Sequence, residues 1–185
     1  MNSDLVGVVL AGGRSRRMGQ DKAMLSMPSG SLLAFQQRRL ALLCKHVLVS
    51  ANGKDGNGLP DRYPGIGPLA GIDAAALRFP EAALLVLPVD MPALSDDSLH
   101  RLIAGNVPAH FQDHPLPAYF PAGAAVGTHI AELLAQRPPV HAVHALHELM
   151  GSVALPAPDS NELANLNTPE DWQRLLCKPL PQTGQ

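Results

Sequence analysis

Apolar residues along this chain fall into two rhythms. Short unbroken runs at 5–10, 47–51 and 84–89 read as strands buried on both faces, each ended by glycine, asparagine or an Asp-Met-Pro corner. Between them, apolar residues recur at helical spacing. Ser31 predicts the cap of a helix running to about Cys44, with Leu33, Leu40 and Leu43 on its inner face. Pro68 suits the first turn of a helix over 69–77. Ser95 predicts the next start, with Asp96 and Asp97 against the positive end of the helix dipole and Gly105 just past its end.

The second half is less regular. Residues 110–121 hold three prolines and predict short edge strands or a hairpin. Residues 124–136 and 140–150 have helical patterns, and 153–155 a short strand. Thr168-Pro169-Glu170-Asp171 is a strong helix start, predicting a last helix to about Cys177 and a frayed tail beyond it. Strands alternating with helices predict an α/β fold, one doubly wound, mostly parallel or mixed sheet with helices on both faces. One domain is expected over 1–178, its halves meeting near residue 95, with 179–185 as the tail.

The loop after the first strand carries the most chemistry. Leu10-Ala11-Gly12-Gly13-Arg14-Ser15-Arg16-Arg17-Met18-Gly19-Gln20-Asp21-Lys22 packs three glycines and four basic side chains into thirteen residues. Glycine lets a backbone N–H approach a phosphate, and Arg and Lys donate charge-assisted hydrogen bonds to anionic oxygens. A strand opening into such a loop is where α/β proteins bind nucleotides. The loop is neither a Walker A motif, since Lys22 precedes Ala23, nor a G-x-G-x-x-G fingerprint.

Charge and composition narrow the ligand. Charged residues make up 16% of the chain and the formal net charge is −2. A general nucleic-acid binder needs a basic excess, so positive charge focused in one loop predicts a small anion instead. Two cysteines, Cys44 and Cys177, lack metal or disulfide spacing and read as small apolar residues. No stretch has the pattern of a signal peptide or the length of a membrane span, so a cytoplasmic protein is expected. Asp90, emerging from the apolar run 84–89, is placed for a hard cation such as Mg²⁺, with a plain turn aspartate as the competing reading.

The pattern L-A-G-G-x-S-x-R-M-G-x-D-K resembles the nucleotidyltransferase signature, and most closely that of the molybdenum cofactor guanylyltransferase family. Gly67-Pro68-Leu69-Ala70-Gly71, Asp90-Met91-Pro92, His114-Pro115 and Asn165-Leu166-Asn167-Thr168-Pro169 also resemble family segments. The resemblance implies a Rossmann-like nucleotidyltransferase fold and Mg²⁺-dependent transfer of GMP from GTP to the phosphate of molybdopterin, releasing pyrophosphate. It implies Lys22, Arg17 and Asp90 as catalytic groups, with Asp90 holding the metal. Leu10, Ala11, Gly12, Gly13, Asn52 and Asp61 would join Lys22 and Asp90 around the nucleotide. His114, Asn165 and Asn167 would face the acceptor. Partners would be the two substrates and the molybdoenzyme apoproteins or chaperones that receive the product, with no nucleic acid or membrane.

The sequence leaves two alternatives open. One is the same chemistry with CTP, where Leu-Ala-Ala-Gly is usual in place of Leu10-Ala11-Gly12-Gly13. The other is a non-catalytic nucleotide- or cofactor-binding protein of the same fold. His141, His144 and His147 lie at helical spacing; without a fourth ligand they read as a solvated helix face rather than a zinc site.

Overall fold

The computed structural model describes residues 4–12, 22–27, 30–51, 62–159 and 161–176. Its strands are β1 (Leu5–Leu10), β2 (Ser26–Met27), β3 (Gly30–Ser31), β4 (His46–Ser50), β5 (Ala83–Pro88), β6 (Ala109–Phe111), β7 (His114–Phe120) and β8 (Val153–Leu155). Its helices are α1 (Leu32–Leu43), α2 (Pro68–Arg78), α3 (Asp96–Ala104), α4 (Val126–Ala135), α5 (Val143–Met150) and α6 (Pro169–Leu176). Six strands form one sheet in the order β4-β1-β5-β7-β6-β8, and β2 and β3 make a separate two-stranded ribbon.

Alternate residues of the central strands feed two helical layers, because successive side chains point to opposite faces. Val9, Leu85 and Leu87 meet α1, α3 and Leu175 of α6 on one side. Val6, Val8, Leu84 and Val86 meet α2, α4 and α5 on the other. β1 is parallel to both β4 and β5, with Leu10 level with Ser50 and with Pro88. The three strand ends therefore lie side by side at one edge. β7 runs antiparallel to β5 and so begins at that same edge.

The helix starts follow the sequence. Ser31 Oγ accepts from the Ala34 N–H at 3.1 Å, and Ser95 Oγ from the Ser98 N–H at 3.2 Å. Thr168 and Asp171 cap α6 reciprocally: Thr168 Oγ1 accepts from the Asp171 N–H, and Asp171 Oδ2 from the Thr168 N–H.

Three expectations need correction. The buried face of α1 is Leu32, Phe35, Gln36, Arg39 and Leu40, while Leu33 and Leu43 are only part-buried. Two polar residues turn this helix's phase because their partners lie inside the protein. Second, β6 and β7 do form a hairpin, but β7 is interior, paired with β5 and β6. Its ladder to β5 uses Ala118, Tyr119 and Phe120, after Pro115 and Pro117, so the prolines cost no pairing there. Third, His147 is not on a solvated face. Its ring stacks on His110 at 4.2 Å and on Phe120 at 5.6 Å.

His147 is a satisfied neutral core histidine. Nε2 faces the Pro115 carbonyl at 2.9 Å, so it carries the proton, and Nδ1 accepts from the Ser152 hydroxyl at 2.9 Å. Burial is the main force that pulls its pKa down to about 4. Cys44 is buried too, and burial pushes its thiol up to about 12, in keeping with a packing role.

The histidine gives a pH prediction. In the unfolded chain it protonates near pH 6.5, but in the fold only near 4, so below pH 6.5 the unfolded state binds the extra proton. The contribution is fully present above pH 6.5 and is lost as pH falls toward 4. Between pH 7 and pH 5 this residue alone should remove on the order of 2 kcal/mol. Urea unfolding at the two pH values checks it: His147→Gln should be less stable at pH 7 yet lose less between pH 7 and 5 than the wild type.

Candidate functional site

The site is built where β1, β4 and β5 end. Leaving β1, Ala11 and Gly12 both donate their N–H groups to the Ser50 carbonyl, at 2.8 and 2.9 Å. Those two amides are thus used within the protein, and the start of the loop is fixed against the end of β4. The Val89 N–H donates to the Leu10 carbonyl at 3.0 Å, which carries the β1–β5 pairing one residue past the strand. Asp90 follows directly.

Lys22 returns to this edge on a short 3-10 turn, Lys22–Met24. Its ammonium donates to Asp90 Oδ2 at 3.1 Å and to Asn167 Oδ1 at 2.8 Å. The two side chains of the ion pair are 14% and 22% exposed, so the pair is sheltered but open to a ligand. An ammonium has three donors, and among the described residues these two acceptors take two of them and orient it.

The carboxyl-terminal segment is clamped here as well. The Leu166 N–H donates to the Asp90 carbonyl at 2.9 Å, and Leu166 itself is buried. Asn165 and Asn167 flank it and are exposed, as an extended segment with one inward residue requires. Glu162 anchors the segment upstream, accepting from the Ser95 N–H and from the Ser95 and Ser98 hydroxyls at 3.0, 2.7 and 2.7 Å. Burial pushes the Glu162 carboxyl up, but these hydrogen bonds outweigh it and hold it below the ordinary carboxylate range.

Of the residues expected from the sequence, the structure joins Lys22, Asp90 and Asn167 directly, with Leu10, Ala11 and Gly12 beside them. Asn167 meets the lysine, a contact its expected place at the acceptor did not suggest. Asn165 is exposed next to it. His114 starts β7 at the same edge of the sheet, and its carbonyl accepts from His110 Nδ1 at 3.1 Å. Gly13, Arg17, Asn52 and Asp61 lie outside the described residues.

Sequence reasoning missed the buried groups around this edge. Asp73 of α2 is fully buried and takes a bidentate pair from Arg62, at 3.0 and 2.6 Å. Gln36 and Arg39 of α1 are buried as well. The only advance signal was a charged or amide residue inside an otherwise amphipathic helix. A cavity of about 530 Å³ between α2 and α4 is lined by none of the residues of the lysine cluster. Among the described residues no three His, Cys, Asp or Glu side chains form a metal-holding group, and no helix is long and apolar enough to cross a membrane.

The chain matches the model of the MobA-like NTP transferase domain over residues 7–155. A molybdenum cofactor guanylyltransferase of Xanthomonas euvesicatoria pv. vesicatoria is 39% identical over 176 residues, covering 92% of this chain and 93% of that protein. One from Rhodobacter capsulatus is 37% identical over 190 residues, covering 92% and 94%. Among solved structures, molybdopterin-guanine dinucleotide biosynthesis protein A from Archaeoglobus fulgidus has the same fold, with a TM-score of 0.71 at 20% identity over 91% of this chain and 95% of that one. So does 2-C-methyl-D-erythritol 4-phosphate cytidylyltransferase from Thermus thermophilus, at 0.66 and 15% over 92% and 96%. The sheet is thus the mixed, mostly parallel Rossmann-like sheet of nucleotidyltransferases.

One glycine sets how closely α2 approaches the site. A Cβ on Gly71 would lie 2.4 Å from Ser50 Oγ, 2.5 Å from Ser50 Cβ and 2.8 Å from Leu10 Cδ2. Gly71→Ala must therefore push α2 off the two strand ends that hold Ala11 and Gly12, at about 1–3 kcal/mol. Gly127→Ala, whose Cβ would meet nothing nearer than Asp73 Oδ1 at 3.6 Å, should change stability by no more than about 1 kcal/mol. Thermal melts of the two variants check this, and a Gly71→Ala protein as stable as Gly127→Ala would contradict it.

Proposed function

The chain belongs to the MobA-like NTP transferase family, and on that premise we propose that it transfers GMP from GTP to the phosphate of molybdopterin, forming the guanine dinucleotide cofactor and releasing pyrophosphate. The observation that carries this reading is the Lys22–Asp90–Asn167 cluster, seated beside the loop that follows Leu10. The names of the relatives supply the base and the acceptor. The residues supply the transfer chemistry.

In this reaction an oxygen of the acceptor phosphate bonds to the α-phosphorus of the nucleotide. The bond from that phosphorus to the bridging oxygen breaks, and pyrophosphate leaves with the electron pair. The protein's task is to bring two anions together and to stabilise charge on the leaving group. Lys22 offers an N–H to a phosphate oxygen, already oriented by Asp90 and Asn167, so little reorganisation is needed at the moment of transfer. Leu166 joins the segment that bears Asn167 to the backbone of Asp90, tying the acceptor half to the nucleotide half.

Mg²⁺ fits this corner. Asp90 supplies one hard carboxylate at the sheet edge, and the described residues form no all-protein cage. That suits an ion held by one or two carboxylates with substrate phosphates and water completing its shell. When bound, Mg²⁺ would neutralise phosphate charge. Asp90 would hold it.

Purified protein given molybdopterin and Mg²⁺ should release pyrophosphate from GTP far faster than from CTP, UTP or ATP. Equal or faster release from CTP would transfer the chain to cytidylyl chemistry, and no release from any of them would leave a binding protein. Lys22→Ala should keep its fold and lose about 2–4 kcal/mol of transition-state stabilisation, roughly 30- to 1000-fold in kcat. Asp90→Asn should cut product formation much more than GTP affinity, measured by calorimetry alongside turnover, because the amide lacks the charge that offsets Mg²⁺ dehydration.

A further inference from the structure

The turn that carries Asp90 is gripped from outside by a buried polar relay on α1. Arg39 has a side chain with no exposed surface. Its Nε and Nη2 donate to Asp96 Oδ1 at 3.2 and 3.1 Å, and Nη2 also donates to the Leu94 carbonyl. Its Nη1 donates to Gln36 Oε1 at 3.2 Å, and Gln36 Nε2 donates to the Val89 carbonyl at 3.3 Å. One helix thus holds the backbone on both sides of Asp90: Val89 immediately before it and Leu94 where the turn ends. The Arg39 guanidinium also lies over the Phe35 ring, 5.6 Å from its centroid, which fixes the plane of the fork.

This arrangement is a poor way to gain stability. Taking a guanidinium out of water costs as much as its ion pair returns, and apolar side chains of similar volume pack such a helix face as well. What the fork and the amide supply, and a leucine would not, is directional hold on two carbonyls. The corner is held as well by the Val89 N–H on the Leu10 carbonyl, by Leu166 on the Asp90 carbonyl, and by Glu162 on Ser95 and Ser98. Removing the α1 relay would take the side-chain holds off the Val89 and Leu94 carbonyls.

We propose that Gln36 and Arg39 are positioning residues for nucleotidyl transfer: by fixing the Val89 and Leu94 carbonyls they set where the Asp90 carboxylate, and through it the Lys22 ammonium, meets the triphosphate. Neither side chain needs to touch substrate. The inference rests on the transfer reading above, but the placement of the turn can be measured without turnover.

The test uses Arg39→Met and Gln36→Met, each alone and in the Asp90→Asn background. Both single variants should melt several degrees below wild type, because each leaves a buried carbonyl unpaired, yet stay folded at the assay temperature, keep the KM for GTP within about threefold, and lose about 10- to 100-fold in kcat, the scale of a small misplacement of a reacting group. Arg39→Lys, which keeps the charge but not the fork, should fall between. In the Asp90→Asn background the same changes should cost almost nothing further, an outcome a merely structural role would not produce. Near wild-type kcat in both variants, or an undiminished fall in the Asp90→Asn background, would overturn the proposal. Should Arg39→Met fail to fold, Gln36→Met leaves the ion pair intact and carries the same comparison. Amide hydrogen exchange over 90–94 should rise at least tenfold in Gln36→Met, and unchanged exchange there would equally overturn it. A wild type that releases no pyrophosphate would count against the transfer reading and not against this exchange result.

Discussion

The parallel pairing of β1 with β5 is the constraint on which the site depends. It sets Leu10 level with Pro88, and the Val89 N–H extends the ladder to the Leu10 carbonyl. A basic loop and a carboxylate from distant parts of the chain therefore leave the sheet at neighbouring points of one edge. A register shift of one residue would turn one strand's inward set, Val8 or Val86, into the opposite helical layer and force both layers to repack. The apolar content of these two strands thus fixes the position of Asp90 as firmly as any contact of Asp90 itself.

The protein places several of its charges in pairs. Lys22 binds Asp90 and Asn167, Arg62 binds Asp73, and Arg39 binds Asp96. The second half of the chain contributes by closing on the first. Leu166 reaches the Asp90 carbonyl, and the stacked His110 and His147 rings hold the carbonyls of His114 and Pro115 at the start of β7. Fold and site meet at the Leu166 contact, which joins the carboxyl-terminal segment to the backbone of Asp90.

Much of this was legible in the sequence, for identifiable reasons. Buried parallel strands read as continuous apolar runs, and the caps at Ser31, Ser95 and Thr168 act over three residues, so local pattern reveals both. Lys22 and Asp90 stood out because a Gly-rich basic loop and a lone carboxylate after an apolar strand are themselves chemical statements. Partnerships were not legible. Lys22 and Asn167 are 145 positions apart, and no local rule connects them. Gln36 and Arg39 went unread, because periodicity weighs them as hydrophilic and cannot see the carbonyls of Val89 and Leu94 inside. β7 looked like an edge because of its prolines, whose cost is avoided only by where the ladder to β5 begins. His147 looked solvated because its two hydrogen-bond partners come from another strand and from beyond the helix end.

The central claim is a single direct displacement at phosphorus, with Lys22 acting as an oriented cation. A lysine in a nucleotidyltransferase has another conceivable role, as a nucleophile carrying the nucleotide. Asp90 and Asn167 hold Lys22 between two acceptors, an arrangement that fits the first role. The stereochemical course of transfer from a chiral GTP α-thiophosphate to molybdopterin tests this most directly. One in-line displacement predicts inversion of configuration at the α-phosphorus. Net retention, with nucleotide trapped covalently on Lys22, would contradict it.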